Sequence, residues 1–568
     1  MNKLSIRLFV FLFVFIVPMS VLGCIPIIWS ANLTQLQGTV TDPHNASIEG
    51  ARIRVFKTYK DRDDELITET KTDSQGRFLI TTLRPGRYQV RADYPNLFAT
   101  TYVSLRLNKP SSGKSRRELA ITLALDSNCT GMAKVIHNNL RDDYSRLAAD
   151  VRGEFFHAWK GYKQYCWGHD DLKPLSKTCR DWYGTPILMT AVDSLDSLYV
   201  LGFKQEADST REFIAKNLSF DKDISPQNFE ITIRILGGLL SAYQISGDKR
   251  LLDLADDLGR RLLPVFDSPT GLPYKFVNLK TGKTREAVSN PAETGTLLIE
   301  FGTLSKLTGK PIYYEKAKRA LVETYKRRSP IGLVGTNINV ETGQWTNTGS
   351  HVSAEIDSYY EYLLKCWLLF GDKECKQMWD DDIASVNKYL ADELRGELWY
   401  GHADMTTGKR TKTNSGALDA FFPGLLALSG DLDRAKRLQD SMFKMWQVHG
   451  IEPEVLNYQT MKVEHGGYPL RPEIVESTYI LYQLTKDAKY LAMGKQMWED
   501  FVKYCRTDVA YAGLRNVETK EKTDYMHSFL FAETFKYFYL LFAPDKTLEF
   551  KRIVFNTEAH PIRKTWKN

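Results

Sequence analysis

Seven times between Leu201 and Leu548 the chain leaves an apolar, helix-patterned run, crosses a short turn of small and charged residues, and starts another. The turns are "LGFKQEA" around Lys204, "ISGDKRL" around Asp248, "LTGKPIY" around Lys310, "LFGDKEC" around Asp372, "LSGDLDR" around Asp431, "LTKDAKY" around Asp487 and "FAPDKTL" around Asp545. The spacings are 44, 62, 62, 59, 56 and 58 residues, each about one helical hairpin with its loops. Repeated hairpins bury their apolar faces against one another, either as an open solenoid or as a closed ring. An open solenoid would carry polar residues along its concave face. Here the helices are strongly apolar, with isolated carboxylates embedded in them. The expectation is therefore a closed barrel of inner and outer helices whose acidic groups face a central cavity.

The rest of the chain follows a different pattern. A length of 568 residues exceeds one ordinary core and predicts at least two domains. From about Leu36 to Leu125, short runs alternate with period two between turn signals. "LQGTVTD", "ARIRVFKT", "LITETKTD", "GRFLITTL", "GRYQVRADY", "TYVSLRL" and "ELAITLAL" read as seven strands of a small all-β sandwich. This stretch resembles the carboxypeptidase regulatory-like modules found on exported bacterial enzymes and holds no catalytic constellation. The expected domains are residues 1–30 as signal or anchor, 34–126 as the sandwich, and 134–562 as the helical barrel.

The N-terminus reads as an export signal: Lys3 and Arg7, then an uncharged run from Leu8 to Trp29. "VLGC" resembles a bacterial lipobox ending at Cys24, and an uncleaved membrane anchor is the alternative. In both cases the remainder is extracytoplasmic and held at a membrane. The other six cysteines show no CxxC spacing, which argues against a zinc site. Cys166 with Cys179 is the pair offered for a disulfide. A net charge of +7 over this length, without a basic block, argues against a nucleic-acid partner. A monomer is expected.

Five groups of polar residues interrupt the apolar helices. Glu230 and Arg234 lie four apart, hence on one side, in "NFEITIRILGGLLSAY". Asp357 opens "DSYYEYLLKCWLLF", where helix capping is the bland explanation. "LRPEIVESTYILYQ" has Pro472 suited to a first helical turn, Glu473 and Glu476 on one face, and Arg471 beside them. Glu533 lies in "HSFLFAETFKYFYLLF", and "FNTEAHP" is a polar cluster after the last hairpin. Carboxylates converging from several inner helices, with few histidines, suit glycoside hydrolysis, in which one carboxylic acid protonates the leaving oxygen and one carboxylate activates water or attacks. The same oxygen-rich pocket suits calcium.

These blocks, with "GHDDLKPLSK" and "VDSLDSLYVLG", resemble the signature of the class I α-mannosidases, glycoside hydrolase family 47, over residues 135 to 561. The resemblance implies an (α/α)7 barrel, calcium, and inverting cleavage of terminal α-1,2-linked mannose from mannose-containing glycans. It implies Glu230 as general acid acting through a water, Glu473 as base, Asp357 as third catalytic carboxylate, and Thr557 as the calcium ligand. Arg234, Glu293, Arg471, Glu476, Glu533 and Glu558 would line the sugar subsite or the metal's water shell. Inversion needs acid and base roughly 6.5–9.5 Å apart. Three residues depart from the family pattern: His527 stands where a sugar-contacting glutamate is usual, Glu355 where the processing enzymes carry a branch-selecting arginine, and Ala420 where they carry a disulfide cysteine. The block around Ala420, "ALDAFFPG", with "YPLRPEIVESTYILYQLTKD", is closer to the ER-degradation-enhancing branch. A mannose-glycan binding protein without useful turnover, on the same barrel, is the alternative.

Overall fold

In a computed structural model the described residues are 11–13, 35–41, most of 52–107, and 130–566. They divide into two compact units meeting between residues 143 and 144. Apart from Phe11–Phe13, the export-signal segment lies outside the described residues, as does "ELAITLAL". No helix among the described residues is long and apolar enough to cross a membrane.

The smaller unit contains two sheets. Gln35–Thr41 pairs antiparallel with Arg77–Thr81 and parallel with Phe11–Phe13. Arg52–Lys57 lies between Glu65–Lys71 and Gly86–Tyr94, and Leu97–Leu107 continues that antiparallel sheet. The period-two pattern governs which side chains go inside: Ile53, Val55, Phe78, Ile80, Tyr88 and Val90 are buried. Six of the strands read from the sequence are present at these positions.

The larger unit is helical. Seven helices of nearly complete burial alternate with seven amphipathic ones. The inner helices are Leu195–Val200, Gly237–Ser246, Leu298–Thr308, Asp357–Phe370, Phe422–Ser429, Glu473–Thr485 and Phe535–Phe542. Each packs against the next, and the π-helical turn leading into the seventh packs back on the first, closing a ring. The outer layer is Lys204–Asn217, Lys249–Leu262, Pro311–Lys326, Lys373–Tyr389, Leu432–His449, Ala488–Cys505 and the long Thr130–Cys166. Phe155 of that long helix meets Phe531 and Phe535 edge-on, which covers the ring's junction.

Six of the seven sequence markers are turns from inner to outer helix, and their chemistry is visible; the seventh, around Asp545, starts no further helix and leads instead into two short 3-10 turns and a last hairpin. Gly247, Gly309, Gly371 and Gly430 end their helices in the left-handed region, where a Cβ is penalised. Lys486 takes that conformation in the sixth turn without being glycine. In four of these five turns the next residue then caps the following helix; Lys310, after Gly309, does not. Asp248, Asp372, Asp431 and Asp487 each accept a hydrogen bond from a backbone N–H of the first turn.

Six of the seven return connections, outer to inner, are β-hairpins that the helical pattern concealed; the one after Lys204–Asn217 contains no strand. Five share one tip. Asn278, Asn339, Asp404, Asn457 and Asn516 each accept from the backbone N–H groups two and three residues on. A threonine follows three residues later, and then a positive-φ residue: Gly282, Gly343, Gly408, Met461 or Lys520. The strands are only two to four residues long, too short to show period two. Because each hairpin feeds the N-terminus of an inner helix, all five rim the same end of the barrel.

Among the described residues two disulfides are formed, Cys166–Cys179 and Cys366–Cys375, and Cys505 is free and buried. The first is the pair read from the sequence.

Candidate active site

A final hairpin, Ile553–Phe555 with Pro561–Arg563, enters from the opposite end. Ser241 and Gln244, late in the second inner helix, donate to Pro561 O and Arg563 O at 3.2 and 2.8 Å. Its tip, Asn556 to His560, reaches the barrel's middle, where Asn556 donates to Ile233 O and to Glu300 at 2.9 and 2.7 Å. The Gly237–Gly238 pair makes room: a Cβ on Gly237 would stand 2.7 Å from Asn556 Nδ2 and 3.0 Å from His560 Cδ2. Below the tip the charges are matched. His560 lies between Asp193 (3.1 Å) and Asp196 (2.7 Å), and Lys536 reaches Asp196 (2.7 Å) and Ala559 O (2.7 Å). Burial alone would raise Asp196, but Lys536 and His560 outweigh it and hold its carboxyl at about 2.

Above the tip opens a cavity of about 370 Å³ at the hairpin-rimmed end. Nine carboxylates line it (Glu230, Glu293, Glu355, Asp357, Glu361, Glu473, Glu476, Glu533, Glu558), with only Arg234, Lys275 and Arg471 as cations. Of the site residues expected from sequence, His527 is missing from that lining; of the other two departures, Glu355 lines it and Ala420 does not.

Glu230 and Arg234 occupy a distorted stretch. The expected single helix is a helical turn, Asn228–Ile231, a π-helical stretch, Thr232–Leu236, and only then Gly237–Ser246. A second π-helical turn, Leu530–Thr534, carries Glu533. Such turns are frequent at functional sites. Arg234 Nε donates to Glu230 at 2.8 Å, and its Nη1 is paired with Glu558 and lies 3.8 Å from Asp193. Thus Arg234 links the cavity to the matched charges beneath.

Asp357 is the first residue of its helix and not its cap, so the capping explanation fails. Its Oδ1 accepts only from its neighbour Ser358, from N at 2.8 Å and Oγ at 3.4 Å. Burial, with Glu361 and Asp419 nearby, raises it to about 7. Pro472 is the residue before its helix, which places Glu473 and Glu476 together in the first turn. Glu473 lies 3.7 Å from Arg471, and its Oε2 has no partner among the described residues. Burial pushes Glu473 to about 7 despite Arg471, and Glu476 to about 8 despite Lys365. Arg471 itself is gripped by Glu454 through two hydrogen bonds, at 2.8 and 3.0 Å. Glu533 is raised well above the usual range by burial and by Glu473 and Glu476, and Glu558 by burial and, against Arg234, by Glu533. Glu293 accepts from Gln227 at 2.6 Å, lies 3.2 Å from Lys275, and is raised by burial to about 7.

Several contributors escaped the sequence reading. Glu361, paired with Lys365, lies four residues after Asp357 on the same face, a spacing that flags it as plainly as Glu473 and Glu476 were flagged. Gln227, Lys275 and Phe529 carry no such signal. Glu355 stands exposed on the cavity wall at φ 74°, its carboxylate accepting from Asn337 at 3.3 Å. Ala420 is buried beside Phe421, and Ser477 donates to its carbonyl.

An oxygen-only donor set with this excess of acid fits a hard divalent cation. Thr557 lines the cavity floor. Its N–H goes to Tyr362 OH at 3.3 Å, and no described residue donates to its hydroxyl or carbonyl.

Residues 154–564 match Glycosyl hydrolase family 47, and residues 35–123 match the Carboxypeptidase regulatory-like domain. Alpha-mannosidase I MNS4 of Arabidopsis thaliana is 39% identical over 442 residues, 74% of this chain and 70% of that protein. The endoplasmic reticulum mannosyl-oligosaccharide 1,2-alpha-mannosidase of Rattus norvegicus is 38% identical over 452 residues, 72% of this chain and 66% of that protein. Among solved structures, the alpha-1,2-mannosidase from Trichoderma reesei superposes with a TM-score of 0.69 at 28% identity, over 74% of this chain and 99% of that one.

Proposed function

The chain belongs to glycosyl hydrolase family 47 and is a glycoside hydrolase, and from that premise we propose that it is a calcium-dependent, inverting exo-α-1,2-mannosidase on an (α/α)7 barrel. The observation that carries the proposal is the excess of carboxylate over cation in one cavity, with Glu230 and Glu473 both on its wall.

In this reading Glu473 is the base. Its unpartnered Oε2 is free to take a proton from the attacking water, and Arg471, held in place by Glu454, orients it. Glu230, fixed by Arg234, delivers a proton through a water to the departing glycosidic oxygen. Asp357 is the third carboxylate and keeps its proton to near neutral pH. Phe529 supplies an apolar wall for the sugar ring. Thr557 would hold the cation through its hydroxyl and carbonyl, with Glu476, Glu533 and Glu558 around its water shell. When bound, the cation neutralises the crowded carboxylates and fixes sugar hydroxyls. The other residues orient substrate or move protons.

The remaining assignments are part of the same proposal. Residues 34–126 form a β-sandwich spacer, and residues 1–30 direct export, ending in lipidation at Cys24 or in an anchor. Two disulfides support an oxidising compartment. The test is proton NMR of the first product formed from α-1,2-mannobiose. β-Mannose appearing before mutarotation supports inversion by the Glu230–Glu473 pair; α-mannose appearing first contradicts it.

A further inference from the structure

His527, a partly exposed residue, is the one expected sugar-site residue that is absent from the cavity lining. Its ring lies parallel to Phe529, centroids 4.8 Å apart and planes 12° apart, and Tyr525 meets it edge-on at 4.1 Å and 75°. Neither imidazole nitrogen bonds a described protein group. Burial, and then the guanidinium groups of Arg234, Arg471 and Arg180, push His527 well below its ordinary range. A cationic ring would face three like charges there, so the stack is one of neutral rings.

What the stack supports is specific. Phe529 lines the cavity, and its ring centre lies 5.7 Å from the Arg234 guanidinium and 6.0 Å from that of Arg471. Arg234 holds Glu230 and Arg471 faces Glu473. One phenyl ring therefore adjoins the two cations that orient the two reacting carboxylates. At the other end, Arg180 lies 4.9 Å over Tyr525, so the column Tyr525–His527–Phe529 is anchored from the short strand Thr178–Arg180, which also carries Cys179 of the Cys166–Cys179 disulfide.

We infer that His527 is a positioning residue, a flat ring that seats Phe529 against Arg234 and Arg471, and that it makes no hydrogen bond to the sugar. The inference rests on the hydrolase reading above. It explains how the position tolerates a residue without a carboxylate: an aromatic ring fills it as packing, and the polar contacts to substrate come from the other walls. It also separates two chemistries that a histidine combines, its flat face and its two nitrogens.

The test uses three variants of the full chain: His527→Phe, which keeps the face and removes both nitrogens, and His527→Asn and His527→Gln, which keep a polar group near each nitrogen and remove the face. Mannose release from α-1,2-mannobiose gives kcat and KM, and thermal unfolding confirms that each variant is folded. The expected order is a loss of about threefold or less in kcat for His527→Phe and tenfold or more for both amides, with KM within about threefold throughout. A merely structural role would lower the melting temperature of the amides while leaving kcat per folded molecule intact, and that result overturns the inference. So does an increase in KM for His527→Phe that an amide restores, since it would show a nitrogen on the sugar. A parent protein that releases no mannose overturns the hydrolase reading, and this role with it; an active parent with His527→Phe as impaired as the amides overturns this inference alone.

Discussion

Two buried ionic regions meet at Arg234, and they are built on opposite principles. Beneath it, Asp193, Asp196, His560 and Lys536 form a cage in which opposite charges answer one another, and Asp196 is held at about 2. Above it, Glu473, Glu476, Glu533 and Asp357 crowd a cavity with too few cations, and Glu473 and Asp357 rise to about 7. Both regions lie in the same barrel at similar burial. Burial alone therefore does not decide what a carboxylate does; the presence of a partner does. The matched cage holds the 556–560 tip in place, and the unmatched cavity is left able to exchange protons and to take a cation.

This contrast is open to attack from both sides. The largest effect is expected at the cavity. Glu473→Gln removes a proton acceptor while preserving shape, so kcat should fall by about 10³-fold, within the range for a general base. Its melting temperature should stay close to the parent's, because the side chain has no partner to lose on Oε2. Turnover near the parent value would remove Glu473 as base. In the cage the same kind of change should act on folding instead. Asp196→Asn leaves Lys536 and His560 under-compensated, which costs about 3–5 kcal/mol of stability, read by denaturant unfolding. A loss below 1 kcal/mol would show that the cage does not anchor the tip.

A smaller effect, of opposite sign in the two regions, comes from pH on metal-free protein. Glu473 and Glu476 bind protons more tightly folded than unfolded, so their contribution is full below their ordinary value of 4.5 and is lost as pH rises through about 7 and 8. Asp196 binds its proton less tightly when folded, so its contribution is present above its ordinary 3.8 and is lost as pH falls toward about 2. Melting temperatures from pH 3 to 9 should therefore fall on both flanks. Glu476→Gln should flatten the alkaline flank and Asp196→Asn the acidic one. An alkaline flank unchanged by Glu476→Gln would contradict the assignment.

The sequence revealed the barrel through its turns, because left-handed glycines and capping aspartates at Gly247–Asp248, Gly371–Asp372 and Gly430–Asp431 are local chemistry that any reader can recognise. It concealed the rim hairpins, whose strands are too brief for periodicity, although the repeated Asn-x-x-Thr tip from Asn278 to Asn516 was present to be read. The carboxylates stood out because charge inside an apolar helix is conspicuous. Their electrostatic state did not, since it depends on neighbours hundreds of residues away, such as Arg234 on Glu558. The π-helical turn at Thr232–Leu236 left no trace in the residue pattern either. His527 was legible as a departure, but whether it faced the sugar or the back of Phe529 was a question of direction that spacing does not contain.

The most direct test of the central claim is mannose release from α-1,2-mannobiose, measured with calcium and again after chelation with EDTA, on protein shown to be folded in both. The unmatched cavity predicts release with calcium, its loss with EDTA, and recovery when calcium is returned. Equal release under both conditions would show that the excess carboxylates need no cation, and no release under either would show that they do not perform this hydrolysis.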